Sequence, residues 1–172
     1  GVRMAHILIL GGGAAGLAAA LAAAQAAPAA RVTVLERNPK VGKKLLATGN
    51  GRCNLDNTAI APEKYFTADP AALRPLLAAV DAAAPLAWFE QLGLYTRTDE
   101  AGRVYPYSDQ ANSVVDVLRF ALEKPNITVK LGFEAEKVKK TASGFRIISG
   151  DETVECDRLI VACGGLAGTK LG

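Results

Sequence analysis

The first 36 residues contain the pattern that most restricts the fold. A short apolar run, His6 to Leu10, leads into "GGGAAG" at positions 11–16. The apolar run is typical of a strand buried in a parallel sheet, and the following "LAAALAAAQAA" consists of strong helix formers that stop before Pro28. "RVTVLE", Arg31 to Glu36, is a second, β-branched strand that ends in an acid. This order of strand, glycine-rich turn, helix and strand predicts an α/β, Rossmann-like nucleotide-binding domain with a parallel sheet.

Three glycines of the turn fit the G-x-G-x-x-G pattern, and each has its own role in it. Gly11 allows the tight turn, Gly13 lets a pyrophosphate approach the backbone, and Gly16 lets the helix pack closely on the strand. The phosphates then meet the positive end of the helix, where Ala14 and Ala15 are the predicted contacts. With a strand before it and a helix after it, the pattern predicts dinucleotide binding.

The acid that ends the second strand indicates which nucleotide the turn would hold. Glu36 lies 20 residues after Gly16 and is predicted to accept hydrogen bonds from a ribose hydroxyl pair. Its carboxylate would face a 2′-phosphate, so the pattern disfavours NADP here, and the neighbouring Arg37 changes that only slightly. The structural alternative is a glycine-rich turn in which Glu36 is merely a solvated strand end.

Composition excludes several other classes of protein. A chain of 172 residues, 50% of them hydrophobic, is long enough for one core, and its net charge of +3 is only weak support for a polyanionic partner. The uncharged stretch from Ala5 to Ala30 is interrupted by glycines, which argues against a signal peptide or membrane span. Cys53, Cys156 and Cys163 form no C-x-x-C pair, so we expect reduced thiols in a cytoplasmic protein and no metal site. His6 is expected to be a packed core residue.

Four motifs together connect the chain to a known family. "GGGAAGLAAA", "LERNPKVGKKLLATGNGRCNLDN", "GRVYPYSDQANSVVDVL" and "DRLIVACGG" follow one another and span almost the whole sequence. With these motifs the chain resembles the BaiN/HI0933-like, or aminoacetone oxidase-like, NAD(P)/FAD-dependent oxidoreductases. The resemblance implies FAD as the cofactor and NAD(P)H as a candidate electron donor.

The resemblance also implies that the segment around "KLLATGNGRCN" runs alongside FAD. The cofactor contacts expected in it are Lys44, Thr48, Gly49, Gly51, Arg52 and Asn54, and Gly164 and Gly165 are expected near the cofactor from the last strand. The residue types agree, because glycines let the backbone lie against a flat or charged ligand and Arg52 offers fixed donors. Cys53 has no partner at a redox spacing and is expected to pack beneath the loop. No side chain stands out as a catalytic acid or base.

The remaining segments predict how the domain is organised. Residues 58–125 are interpreted as an excursion of two helices, a hairpin around Glu100 to Gly102, and a helix through Glu123 with Ser113 and Asp116 as its capping pair. After the strand "NITVKLG", three short strands form a β-meander that leads into "RLIVACGG", as in FAD-binding domains of the glutathione reductase type. Proteins of the family are about twice as long, so residues 1–172 are expected to lack an inserted domain and the C-terminal segment that completes the flavin site.

The predicted function is that of an FAD-dependent oxidoreductase, or of its FAD-binding portion. Flavin would pass a hydride between NAD(P)H or a reduced small-molecule substrate and a second acceptor. A flavin-dependent, RNA-modifying enzyme that reduces uridine is one alternative, and a simple NAD-dependent dehydrogenase is another. The family implies amines, steroid-type enones and a ribosomal RNA uridine as substrates, and the residues select none of these.

Overall fold

A four-stranded parallel sheet forms the centre of the computed structural model, which describes residues 3–79 and 83–165. Its strands are β1 (His6–Leu10), β2 (Arg31–Glu36), β6 (Ile127–Leu131) and β10 (Arg158–Val161), in the spatial order β10-β1-β2-β6. The predicted α/β class with a parallel sheet is confirmed, and β1 and β2 have the bounds expected from the sequence.

The two central strands are buried because both faces of the sheet are covered. Leu8 and Ile9 of β1 are fully buried, and in β2 every residue from Val32 to Glu36 is buried. In register, Leu10 lies opposite both Leu35 and Val161. The carboxyl ends of β10, β1 and β2 therefore meet at one edge of the sheet.

Helices cover one face of the sheet. They are α1 (Ala14–Ala26) and α5 (Ala111–Ala121), with the short α2 (Lys43–Ala47) against α5. Leu17 of α1 and Leu118 of α5 pack in one cluster with Ile9 and Val34 of the sheet. The apolar side chains on this face form the larger of the two hydrophobic clusters.

A β-meander covers the opposite face. It consists of β7 (Lys137–Lys140), β8 (Phe145–Ser149) and β9 (Glu152–Cys156), paired antiparallel in that order. Ile147 of β8 is fully buried and packs with Leu8, Leu10 and Phe133 in the second cluster. The predicted three-stranded meander is confirmed.

The excursion between β2 and β6 contains the remaining elements. These are β3 (Asp56–Asn57), α3 (Pro70–Ala79), α4 (Ala84–Gln91), β4 (Thr96–Thr98) and β5 (Arg103–Pro106), the strands pairing in the order β3-β5-β4. The hairpin was predicted and β3 was not. No residue of α3 is buried.

Over the described ranges no single helix is long and apolar enough to cross a membrane, although α3 and α4 as a bent pair meet the length and composition requirements.

The N-terminus of α5 differs from the prediction. The helix begins at Ala111 after Gln110, with no side-chain cap, and Ser113 lies inside its first turn. The Ser113 hydroxyl instead forms a 2.7 Å hydrogen bond with the hydroxyl of Ser108. The predicted capping pair is wrong because the chain already turns at Asp109, which has a φ of 56°, and the N-cap position falls on Gln110, three residues before Ser113.

His6 lies at the end of β1 that is far from the carboxyl edge, and it is a buried core residue as expected. Its Nδ1 is 2.8 Å from the Glu155 carbonyl oxygen and its Nε2 is 2.8 Å from the Thr33 hydroxyl. Burial, followed by the positive charge of Arg31, lowers the pKa of His6. The neutral ring is thus favoured at this position.

Candidate cofactor-binding site

A cleft of about 540 Å³ opens at the carboxyl edge of the parallel sheet. Its volume falls within the roughly 300–1,000 Å³ of small-molecule and cofactor sites. Segments distant in sequence form its walls: Leu10, Gly11, Gly13, Ala14 and Ala15 after β1; Leu35, Glu36, Arg37 and Asn38 after β2; Lys43, Lys44, Leu45 and Thr48 around α2; Phe133, Glu134 and Ala135 after β6; and Ala162, Cys163 and Gly164 after β10. Ligands of open α/β sheets bind at this edge.

The glycines after β1 have two different environments. A Cβ at Gly11 would lie 2.4 Å from the carbonyl oxygen of Ala162, and a Cβ at Gly16 would lie 1.8 Å from that of Gly11. Gly11 also has a φ of +108°, which favours glycine. The predicted roles of Gly11 in the turn and of Gly16 in helix packing are therefore confirmed, and Gly16 itself does not line the cleft. At Gly13, by contrast, a Cβ would meet no atom within 4 Å.

The N-terminus of α1 borders the cleft directly. Gly13 is the N-cap residue, and the wall continues through Ala14 and Ala15, the first helical residues. The first amides of a helix have no intrahelical acceptor, and no acidic side chain lies in this first turn. This end of the cleft thus has donors and positive potential suited to an anion.

The Glu36 carboxylate is buried and held by the surrounding backbone. Its Oε2 accepts a 2.7 Å hydrogen bond from the Gly12 amide, and its Oε1 accepts two, both of 2.7 Å, from the backbone and side-chain nitrogens of Asn38. Glu36 is only 8% exposed, so the alternative that it is a solvated strand end is wrong. The carboxylate joins the glycine-rich turn to the end of β2.

Two lysines of α2 bring positive charge to the same cleft. The chain reaches α2 through Gly42, which has a φ of +73° and whose amide donates a 2.8 Å bond to the Gly12 carbonyl. Lys43 and Lys44 both line the cleft, and the Lys44 Nζ lies 3.8 Å from the Cβ position of Gly164. These ammonium groups can neutralise a diphosphate.

The segment after Thr48 leaves the cleft. Of the other residues predicted from the resemblance, Gly49, Gly51, Arg52, Asn54 and Gly165 do not line it. The Arg52 guanidinium lies 4.2 Å from the ring centre of Tyr105, and its Nη2 donates a 3.3 Å bond to the Tyr105 hydroxyl. In its satisfied orientation the Asn54 amide donates to the carbonyls of Asp56 and Val104. This turn is thus attached to β5.

Cys53 is buried within that turn, as expected of a residue that packs beneath the loop. Burial raises the pKa of its thiol, while a hydrogen bond with the Thr48 side chain lowers it to a smaller extent. A thiol whose pKa is raised is a poor nucleophile at neutral pH. Its environment therefore agrees with a packing role.

The sequence interpretation missed several walls of the cleft. Asn38, Lys43, Cys163 and the loop from Phe133 to Ala135 were not among the predicted contacts. Asn38 and this loop follow the carboxyl ends of β2 and β6, two strands that were predicted. Because the carboxyl ends of parallel strands lie at one edge, the residues that follow each predicted strand were the available signal.

The fold and the cleft together define a Rossmann-type nucleotide-binding domain. Residues 5–172 match the family described as HI0933-like protein Rossmann domain. The chain belongs to this family, and the family predicted from the motifs is confirmed.

Two curated relatives cover nearly the whole chain. The 3-dehydro-bile acid delta(4,6)-reductase of Clostridium scindens is 42% identical over 98% of this chain, which spans 41% of that protein. The ribosomal RNA dihydrouridine synthase of Escherichia coli is 32% identical over 96% of this chain, which spans 40% of that protein. The chain therefore spans about two fifths of the length of these relatives.

Solved structures agree with the fold. THI4 of Thermovibrio ammonificans superposes with a TM-score of 0.54 at 18% identity, covering 84% of this chain and 45% of the THI4 chain. At this level of identity the likeness is one of fold.

Proposed function

We propose that the cleft holds the ADP half of FAD and that the chain is the FAD-binding portion of a flavin-dependent oxidoreductase. The observation that carries the proposal is convergence at one edge of the sheet. The glycine-rich turn, the carboxylate of Glu36 and the lysines of α2 all line a single cleft. Each group matches one part of ADP.

The match follows the chemistry of the ligand. The α1 amides with Lys43 and Lys44 suit the diphosphate, and Glu36 suits a ribose hydroxyl. The loop from Phe133 to Ala135 borders the adenosine side, because the Phe133 amide donates a 3.0 Å bond to the Glu36 carbonyl. Bound flavin would supply the hydride-accepting chemistry. The residues of this chain would bind and orient the cofactor.

The proposed reaction passes a hydride between NAD(P)H or a reduced substrate and a second acceptor. A small-molecule substrate is the first candidate, supported by the relative named a 3-dehydro-bile acid delta(4,6)-reductase, to which this chain is 42% identical. The proposed electron donor and acceptor would be identified by anaerobic reduction of the whole flavoprotein with NADH, NADPH and an enone substrate.

RNA is the second candidate substrate, and a surface feature favours it. All four residues of β7 are exposed, and among the described residues no ion pair involves Lys137, Lys139 or Lys140. Lysines on an edge strand also prevent strand pairing between molecules, so their presence alone is not specific. Replacing all three by alanine should weaken RNA binding and reduce its salt dependence if β7 contacts phosphates. Unchanged RNA binding would leave the small-molecule substrate as the better proposal.

The first test of the cofactor site is removal of the Glu36 carboxylate. Glu36→Ala should weaken ADP binding by about tenfold, because a charge-assisted hydrogen bond contributes about 1.5–3 kcal/mol. Calorimetric titration of this chain with ADP measures the effect. Glu134→Ala is the matched control, since Glu134 is an acid of the same cleft. Equal ADP affinities in wild type and Glu36→Ala would contradict the assignment.

The second test compares FAD with ADP. We propose that the contacts with the isoalloxazine come from the part of the family fold that this chain does not span. The purified chain should then be colourless and bind FAD no more than about tenfold tighter than ADP, because most of the flavin gains no burial. Tight, stoichiometric FAD binding would show that these residues suffice.

A further inference from the structure

Asn38 uses every polar group it has to connect three segments around the cleft. Its backbone and side-chain nitrogens both donate to Glu36 Oε1 at 2.7 Å. Its carbonyl oxygen accepts a 3.2 Å bond from the Gly132 amide, and its Oδ1 accepts a 3.3 Å bond from Lys43 Nζ. The carboxylate on one side and the ammonium group on the other fix which way the Asn38 amide faces.

These bonds determine how much of the Glu36 carboxylate remains for a ligand. A carboxylate has about four acceptor positions, two on each oxygen. Asn38 occupies both positions on Oε1, and the Gly12 amide occupies one on Oε2 at 2.7 Å. One acceptor position, on Oε2, is left.

From this count we infer that Asn38 is a positioning residue, which fixes the Glu36 carboxylate so that Oε2 accepts one ribose hydroxyl of the nucleotide. The inference rests on the proposed function, because it presumes a nucleotide in the cleft. It also departs from the sequence-based expectation that Glu36 accepts bonds from both hydroxyls of the ribose.

Positioning matters because the terminal torsion angle of a glutamate side chain, which rotates the carboxylate, has a broad distribution. Two donors on the same oxygen restrict rotation of the carboxylate before the ligand arrives. A pre-ordered acceptor loses less conformational freedom on binding than a mobile one. Asn38 would therefore raise nucleotide affinity by ordering the Glu36 carboxylate.

The test measures the binding of ADP, 2′-deoxy-ADP and 3′-deoxy-ADP to this chain by calorimetry. Wild type should bind one deoxy analogue about tenfold more weakly than ADP and the other within about twofold, because one charge-assisted bond is lost in only one of them. Asn38→Ala should bind ADP about five- to tenfold more weakly than wild type does, and its preference for ADP over the sensitive analogue should shrink to under about threefold.

Asn126→Ala is the matched control for a purely structural loss. The Asn126 side chain also joins segments, since its Nδ2 lies 3.4 Å, 3.5 Å and 3.3 Å from the carbonyl oxygens of Ala24, Pro28 and Ala30. These contacts lie just before β6, at the end of the sheet opposite the cleft. Asn126→Ala should lower thermal stability and keep the wild-type preference between ADP and its analogues.

Two outcomes would overturn the inference. One is equal weakening of both deoxy analogues in wild type, a measurement that does not depend on whether Asn38→Ala folds. The other is a wild-type analogue preference in folded Asn38→Ala. In either case ADP still binds, so the proposed cofactor site would stand. If wild type bound no ADP, the proposed function would fail together with the inference.

Discussion

The two glycine-containing turns of this protein, residues 11–16 and 49–54, were both predicted to contact the cofactor, and they have different surroundings. The first connects β1 to the 13-residue helix α1, and four of its residues, Gly11, Gly13, Ala14 and Ala15, form one wall of the cleft. The second follows the five-residue helix α2 and attaches through Arg52 to Tyr105. The comparison shows that glycine content alone does not place a turn. The strand before it and the long helix after it do.

Each turn contains both a crowded and an open glycine. A Cβ at Gly11 would lie 2.4 Å from the Ala162 carbonyl oxygen and one at Gly49 would lie 2.5 Å from the Asn54 nitrogen, whereas a Cβ at Gly13 or Gly51 would meet no atom within 4 Å. Both glycines of the second turn also have positive φ, 56° at Gly49 and 81° at Gly51. Asn50 and Cys53 have positive φ as well, at 56° and 61°. Such strain clusters at functional segments, so the cofactor contacts assigned to this turn by resemblance stay a prediction.

The largest effect we predict is a difference in stability between two glycine variants, one from each turn. In Gly16→Ala the new methyl group would lie 1.8 Å from the Gly11 carbonyl oxygen, so strand and helix must move apart. We expect a loss of about 3 kcal/mol or more in the free energy of unfolding, the upper range for overpacking. Gly51→Ala meets open space and should lose only the left-handed penalty of about 1–2 kcal/mol. Urea unfolding of both variants measures the difference, and equal losses would contradict the distinction between the crowded Gly16 and the open Gly51.

The next effect separates the turns by nucleotide binding. Gly13→Ser places a hydroxymethyl group in open space at the N-cap of α1, where serine is a favoured residue, so stability should change by less than about 0.5 kcal/mol. The same group would obstruct a diphosphate, and ADP affinity should fall by more than about tenfold. Gly51→Ser should behave in the opposite way, with a loss of about 1–2 kcal/mol in stability and unchanged ADP affinity. Calorimetry measures the ADP affinity of Gly13→Ser and Gly51→Ser, and urea unfolding measures their stability. ADP binding by Gly13→Ser at wild-type strength would contradict the phosphate site.

The fold was predictable where the hydrophobic periodicity, the secondary-structure propensity and the boundary residues such as glycine and proline all indicated the same element. β1 and β2 were predicted residue for residue, because each is a short apolar run bounded by Gly11, Pro28 or the acid Glu36. The meander was predictable from turns such as the one at Gly150, whose φ of 54° suits glycine. Local sequence also explains why Gly11, Gly13 and Glu36 were identified as parts of the site.

The parts of the fold and of the site that were not predicted depend on contacts between residues distant in sequence, which no local pattern encodes. The two bonds from Asn38 to Glu36 are local, but the bond from the Gly12 amide to Glu36 forms only once β1 and β2 pair in register. The position of Arg52 depends on β5, which begins 51 residues later at Arg103 and pairs with the unpredicted β3. The start of α5 depends on the turn at Asp109. Long-range pairing therefore decided which polar residues reached the cleft.

The smallest effect we predict concerns Arg52. Its guanidinium stacks on Tyr105, which is 2% exposed, so Arg52→Ala removes a cation–π contact and two hydrogen bonds of 3.3 Å, one to the Tyr105 hydroxyl and one to the Gly49 carbonyl. A stability loss of about 0.5–1 kcal/mol follows for a contact that is partly open to solvent. Tyr105→Phe is the matched control, because it removes the hydroxyl acceptor and keeps the ring. It should lose less than Arg52→Ala.

ADP binding by Arg52→Ala decides whether the two turns differ in function as they do in position. Arg52 lies outside the cleft, and its charge interacts with Tyr105 and the Gly49 carbonyl, so ADP affinity should change by less than about twofold. FAD affinity, measured in a protein that contains the rest of the family fold, should fall further than ADP affinity if Arg52 faces the flavin as the resemblance implies. A tenfold loss of ADP affinity in this chain would mean that residues 49–54 move into the cleft on binding. The second turn would then belong to the same phosphate site as the first, and the contrast between them would hold only for the ligand-free protein.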